Sequence, residues 1–247
     1  MKVPKYYKAK REIVDLITDL PAGTTVPTER DLAQRLGTSR TTVRQAIAEL
    51  VVDGRLTRIQ GSGTFVAQPK LMRVRPMMSF SQDMAAEGWN PGHIILGVSA
   101  QDASNEAAER LRIAPGSPVQ RLERLRTADG ERIAHEVSIL PGRALDLAER
   151  LHELGSLYRV LRECYGLRLV AAEDSVETAL ADPLTADLLG VDTGLPLLLM
   201  HRIAWDEQGR PLEWTVTKFR GDRFRFVARQ QLEQEPFGPV PVGARHA

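Results

Sequence analysis

The sequence predicts an α/β chain of the α+β kind in two domains: a small helical module closed by a β-hairpin, then a larger domain around a largely antiparallel sheet. Three observations carry this expectation. Residues 28–66 set two short helical patterns around a tight turn and follow them with a hairpin that has glycines at its tip. Beyond residue 90, alternating runs are joined by hairpin-type turns at Ala128-Asp129-Gly130 and Glu207-Gln208-Gly209-Arg210. Charge divides the same way: residues 1–70 hold 12 Lys and Arg against 7 Asp and Glu, and the remainder holds 21 against 25. A basic first module on an acidic body fits a polyanionic partner for the first part alone.

In chain order, Pro4 suits the first turn of a helix running to about Asp19, with Ile13, Leu16, Ile17 and Leu20 as its apolar stripe. Pro21, Gly23 and Pro27 break the chain. Thr28 caps a second helix, with Asp31 at the capping-box position, and Gly37 ends it. Thr38 or Ser39 caps a third, which Gly54 ends where a left-handed residue is needed. Short strands over 55–59 and 64–67 flank Gly61-Ser62-Gly63. The expected division is 1–68 for three helices closed by a β-hairpin wing, 69–78 for an extended linker with prolines near its ends, 79–232 for the larger sheet domain, to which the resemblance given below assigns effector binding and dimerisation, and 233–247 for a disordered tail. In the larger domain strands are expected near 94–100, 119–127, 132–140, 167–181, 195–205 and 211–220, and helices near 105–112, 144–153, 157–165 and 183–189.

The chain has 247 residues and 43% apolar content, enough for a packed core. Its one cysteine, Cys164, forms no disulfide within the chain and is expected as a small buried hydrophobe. The first residues lack the apolar run of a signal peptide, and no stretch reaches the roughly 20 apolar residues of a membrane span. The expected setting is therefore cytoplasmic, with no membrane partner. The five histidines have no metal-ligand spacing and no nucleotide-binding or nucleophile motif occurs, so no metal, cofactor or catalytic residue is expected. Glu173, Asp174 and Glu177 read as a solvated face or as salt-bridge partners.

In the third helix Val43, Ala46, Ile47 and Leu50 recur at helical spacing and must face the core. Ser39, Arg40, Thr41, Arg44 and Gln45 then face outward at its N-terminal end, the part of a recognition helix that meets base edges in the major groove. Arginine pairs bidentately with guanine, and Ser or Thr suits phosphates. Arg30, one turn into the preceding helix, is placed for the backbone or the same groove, and Gly61 and Gly63 let the wing approach the minor groove without a Cβ clash.

At these residues the chain resembles the GntR family of bacterial repressors. The likeness rests on Pro27, Glu29-Arg30, Leu32-Ala33, Ser39-Arg40, Thr42-Val43-Arg44, Ala46, Leu50, Gly54 and Gly61-Ser62-Gly63-Thr64-Phe65-Val66. It implies a homodimer on an inverted-repeat operator, with Arg30, Arg40, Thr41 and Arg44 on double-stranded DNA and Gly61 in the minor groove.

In the second domain Arg124 and Arg126 share one face of a strand and attract an anion. A three-residue Ala128-Asp129-Gly130 loop, preferred because it keeps Glu123 and Glu136 from facing each other, sets Glu136 opposite Leu122 on the face of both arginines. His135 then lies on the other face. Ser156-Leu157-Tyr158 opens a helix after Gly155, and Ser79-Phe80-Ser81, with Asp83 just after, looks like a second helix start; both suit an anion. Arg124, Arg126, Ser81, Ser156 and Tyr158 are thus candidates to converge on a phosphate, with Glu136 and Glu213 accepting from sugar hydroxyls or an amine. Salt bridging on a solvated sheet face is the competing account of the same residues.

Residues 79–229 resemble the effector domain of the HutC subfamily, whose fold is similar to chorismate lyase, and within it the repressors of N-acetylglucosamine utilisation. The likeness rests on Val3-Pro4-Lys5-Tyr6-Tyr7, Ser79-Phe80-Ser81-Gln82-Asp83-Met84, Arg121-Leu122-Glu123-Arg124-Leu125-Arg126, Ser156-Leu157-Tyr158, Glu213-Trp214 and Arg220-Gly221-Asp222-Arg223. It implies a phosphorylated amino sugar, such as glucosamine 6-phosphate or N-acetylglucosamine 6-phosphate, as effector. The phosphate falls to Ser79, Phe80, Ser81, Arg124, Arg126, Ser156 and Tyr158, and the sugar to Glu136, Glu213 and Phe219. The family commonly has a tyrosine where Phe219 stands, so one sugar-facing hydroxyl is missing. The alternatives are a different phosphorylated or anionic metabolite, a sugar-phosphate enzyme on the same fold, or a DNA-binding protein without a ligand.

Overall fold

A computed structural model describes residues 4–59, 61–68, 71–73, 79–142 and 146–226, without the side chains of 71–73 and Asp83. The expected tail lies outside the described residues, as do the linker positions on either side of 71–73.

The first three helices are α1 (Lys5–Ile17), α2 (Glu29–Arg35) and α3 (Arg40–Val52), followed by a hairpin of β1 (Leu56–Ile59) and β2 (Gly63–Val66). The apolar stripes do what their spacing demands. Val43, Ala46, Ile47 and Leu50 are all buried against Ile13, Ile17 and Leu32, while Leu20, beyond the end of α1, is 36% exposed. Thr28 and Ser39 cap α2 and α3 by accepting from the amides of Asp31 and Thr42. Asp31 completes its box unusually: its carboxylate accepts from the Thr28 hydroxyl at 2.7 Å.

Residues 71–73 form a short strand, β3 (Leu71–Arg73). The larger domain follows as α4 (Phe80–Ala86), β4 (Pro91–Asp102), α5 (Asn105–Leu111), β5 (Pro118–Ala128), β6 (Glu131–Pro141), α6 (Leu147–Leu154), α7 (Leu157–Tyr165), β7 (Leu169–Leu180), α8 (Pro183–Leu189), β8 (Pro196–Asp206), β9 (Pro211–Arg220) and β10 (Phe224–Phe226). Six strands make one antiparallel sheet in the order β4-β5-β6-β9-β8-β7. Because side chains alternate, each central strand serves two cores. Val119, Ile139, Trp214, Leu125 and Leu197 meet α5 and α8 on one face. Leu122, Leu140, Ala134, Met200 and Phe219 face α4, α6 and α7 on the other.

Two expectations are corrected. The β5–β6 connection is a two-residue turn, with Asp129 at φ 48° and Gly130 at φ 83°, the pattern of a type I′ turn, so Ala128 pairs with Glu131. A bulge then adds Ile133, which buries its side chain beside Met84, and moves the register so that Arg126 opposes Ala134 and Arg124 opposes Glu136. Glu136 thus lies on the arginine face, opposite Arg124 and not Leu122. Cys164 is exposed rather than buried. It stands in the last turn of α7, and Tyr165 and Leu167 take over the packing against that core as the chain turns at Gly166.

The strands β3 and β10 pair in parallel, Leu71 with Phe224. Arg223 fastens this region: its guanidinium donates to Glu131 at 2.6 and 3.0 Å and to the Gln68 carbonyl at 3.2 Å.

Candidate functional site

On the first module, Ser39, Arg40, Thr41, Arg44 and Gln45 are all exposed on α3, and the Arg30 side chain is 81% exposed beside them. Ser39 spends its hydroxyl on the α3 cap. Gly61 has φ 76° and Gly63 φ 127°, which L side chains rarely adopt, and nothing crowds either Cβ position. Their glycine requirement in the free chain is therefore one of backbone angle. Glu29, at the start of α2, accepts from Arg44 Nε at 3.0 Å and Nη2 at 2.9 Å, and from Arg58 Nη2 of the wing at 3.1 Å. The hydrogen bonds of Arg44, with the charges of Arg58 and Arg40, hold the Glu29 carboxyl below its usual range against a smaller cost of burial. Glu29 was legible only as a motif residue, and Arg58 carried no sequence signal.

In the larger domain all ten residues expected around an effector line one cavity between the sheet and the starts of α4 and α7. Its floor is laid out in rows across the strands. One row runs Arg126, Ala134, Phe219, Leu198; the next runs Arg124, Glu136, Thr217, Met200; a third runs Leu122, Ser138, Thr215, Arg202. Thr215, Thr217, Met200 and Arg202 line the cavity and were missed. The threonines lie between Glu213 and Phe219 at every second residue, so strand alternation alone would have found them.

The cavity is lined with charge. Arg124 and Glu136 form a buried ion pair. Burial opposes the Glu136 charge, but Arg124 and Arg126 outweigh it and hold the carboxyl low. Arg126 is 2% exposed; it donates to Ser81 Oγ at 3.1 Å and lies 4.2 Å over the Phe80 ring. Burial and the nearby charge of Arg124 pull its pKa down to about 9. Arg202 is gripped by Asp174 through two 2.6 Å bonds. Tyr158 bonds both Arg202 and Glu213, and burial followed by Glu213 pushes its hydroxyl pKa up. Ser79 and Gln82 cap α4 reciprocally: the Ser79 hydroxyl accepts from the Gln82 backbone N–H, and the Ser79 backbone N–H donates to Gln82 Oε1, so Gln82 rather than Asp83 supplies the start signal. Ser156 makes no such capping bond. Four buried polar atoms around this space have no hydrogen-bond partner: Arg124 Nε and Nη1, Arg126 Nε and Glu213 Oε2. Buried polar atoms are nearly always satisfied, so each of these calls for a partner there, a ligand group or an ordered water.

Among the described residues no three metal-type side chains come together, and no helix is long and apolar enough to cross a membrane.

An outward-facing basic helix with a wing, joined to a domain holding a polar cavity, is the build of a ligand-responsive transcription regulator. The chain belongs to the GntR family: the model of bacterial regulatory proteins, gntR family, matches residues 5–66, and that of the UTRA domain matches residues 86–225. It is similar to the HTH-type transcriptional repressor PhnF of Mycolicibacterium smegmatis, 34% identical over 92% of this chain and 93% of that one. It is also similar to the HTH-type transcriptional repressor NagR of Bacillus subtilis, 31% identical over 91% and 94%. The crystal structure of PhnF from Mycobacterium smegmatis matches with a TM-score of 0.61 at 33% identity, covering 91% of this chain and 100% of that one. These relatives are regulators of the HutC type, and the chain is a regulator, not an enzyme.

Proposed function

We propose that the chain is a repressor that binds an inverted-repeat operator as a homodimer in the cytoplasm and releases or grips it in response to a phosphorylated amino sugar such as glucosamine 6-phosphate. Arg30, Arg40, Thr41, Arg44 and Gln45 meet the major groove and backbone, Ser39 starts the recognition helix, and Gly61 leads the wing into the minor groove. The phosphate sits on Arg126, Arg124, Ser81, Ser156 and Tyr158, with Ser79 and Phe80 shaping that end; the sugar lies against Glu213, Glu136 and Phe219.

The observation that carries this reading is the set of unsatisfied buried atoms, three arginine N–H positions at one end and a carboxylate oxygen nearby. A ligand with an anionic head and a donor-bearing body satisfies both, whereas an apolar one satisfies neither. Two features favour a second reading, another phosphorylated metabolite: Phe219 offers no hydroxyl, and Glu136 is already engaged by Arg124.

The test is an anisotropy titration of the full chain on an inverted-repeat duplex, with glucosamine 6-phosphate, N-acetylglucosamine 6-phosphate, other sugar phosphates, free glucosamine and inorganic phosphate. The amino sugar phosphates are expected to change DNA affinity about 5–150-fold, and free glucosamine is expected to leave it unchanged. A response only to other phosphate esters selects the second reading; no response to any phosphate ester rejects both.

A further inference from the structure

A carboxylate on a DNA-facing surface opposes the approach of phosphates, so Glu29 needs a reason to be there. Its surroundings supply one. Glu29 is 21% exposed and sits under Arg44, whose side chain is 58% exposed and points away from the helical core. It takes Arg44 side-on, through Nε and Nη2. A guanidinium can pair with guanine O6 and N7 end-on, through its two terminal nitrogens, of which the grip of Glu29 engages only Nη2. The side grip therefore leaves the reading end of Arg44 outward and removes the freedom of a long side chain, which otherwise costs entropy when it is fixed on a base. The second carboxylate oxygen holds Arg58 of the wing at 3.1 Å. One group thus joins α2, α3 and β1, the three elements that bring side chains to this surface.

We propose that Glu29 is a positioning residue of the operator interface, which presents Arg44 end-on to a base pair and locks the wing to the recognition helix through Arg58. This rests on the reading that Arg44 enters the major groove. Its contribution is to discrimination between sequences more than to affinity. Removing the carboxylate loosens Arg44 and also removes a repulsion from the phosphate backbone, so specific and non-specific binding respond in opposite directions.

The experiment uses the full chain and the duplex it selects from a randomised library, against a scrambled duplex and duplexes with each half-site guanine replaced in turn. Glu29→Gln is expected to lose about tenfold in selected-over-scrambled preference, with the loss concentrated at one guanine and binding to the scrambled duplex unchanged or tighter. Glu29→Asp keeps the charge but withdraws it by one methylene, and is expected to lose part of the same preference. If Glu29→Gln tightens both duplexes equally while Glu29→Asp matches the parent, Glu29 acts only as a repelling charge and the proposal fails. Arg44→Ala separates the two levels: retained discrimination in that variant overturns the role of Arg44 itself. Glu29 lies outside the buried cluster of α1–α3, so these changes leave the packing of the module intact.

Discussion

Glu136 stands directly opposite Arg124 across β5 and β6, and the two side chains form an ion pair that is 11% and 3% exposed. Such a pair is held in place more by the cost of breaking it than by its net strength. Arg124→Ala leaves a buried carboxylate with the charges of Arg126 and Arg202 nearby but without its bonded partner, and is expected to cost about 3–5 kcal/mol of stability. The double variant Arg124→Ala, Glu136→Gln removes the stranded charge and should recover much of that loss. Urea unfolding midpoints decide it: equal stability of the single and double variants would mean that the pair is not energetically coupled.

Arg126 is the opposite case. Its folded pKa is depressed, so the protonated form is disfavoured in the fold and its charge at neutral pH subtracts from stability. Arg126→Met keeps an aliphatic chain on Phe80 and removes that charge. The expected result is a thermal midpoint at or above that of the parent, with at least about tenfold weaker binding of glucosamine 6-phosphate by calorimetry. Operator affinity without ligand should not change. Arg40→Ala should do the reverse, losing operator binding and keeping ligand affinity; a variant that lost both while folded would contradict two separable sites.

Much of this was legible along the chain because helices and strands announce their faces by period. The core of the first module followed from Val43, Ala46, Ile47 and Leu50, and the cavity face of β5 from Arg124 and Arg126. What escaped was set by long-range pairing. The partner of Arg124 depended on a bulge at Ile133, which no local turn rule contains. The strands β3 and β10 are three residues each, too short to show alternation, and they pair across some 150 residues of sequence. Arg202 lies in the run Pro196-Leu197-Leu198-Leu199-Met200-His201-Arg202, apolar enough on both faces to hide which side holds the cavity. Its inward position follows from pairing with Thr215 and Asp174.

Those short strands carry the third prediction. Phe219 lines the cavity and stacks on Phe224 at 3.9 Å between centroids, 15° from parallel. The backbone of Phe224 pairs with Leu71 of the linker, next to the Arg223 bond to Gln68. This chain of contacts is the expected route by which occupancy of the cavity would bias the strand that leads to the DNA-binding module. Phe224→Leu keeps an apolar filler but loses the stack. It should bind the effector within a few-fold of the parent while the coupling, about 1–3 kcal/mol in such systems, falls towards zero. The readout is the ratio of operator affinities with and without ligand; an undiminished ratio would place the coupling elsewhere.

The fourth prediction concerns His93, the Cα partner of Arg126 on β4. Burial lowers its pKa to about 4, helped by the charges of Arg126, Arg124 and His152 and opposed by Glu136. The ordinary histidine value is near 6.5. Between these values the unfolded chain holds a proton that the folded chain does not. His93 therefore contributes stability that is present above about pH 6.5 and is lost as pH falls towards its folded value. An anion resting on Arg124 and Arg126 cancels much of the field that disfavours the imidazolium, so ligand binding must raise the His93 pKa and take up part of a proton near pH 5. Proton NMR titration of the imidazole, assigned with His93→Gln, should give a value near 4 without ligand and a higher one with saturating glucosamine 6-phosphate. The same midpoint in both states would mean that the bound anion does not rest on the arginine pair.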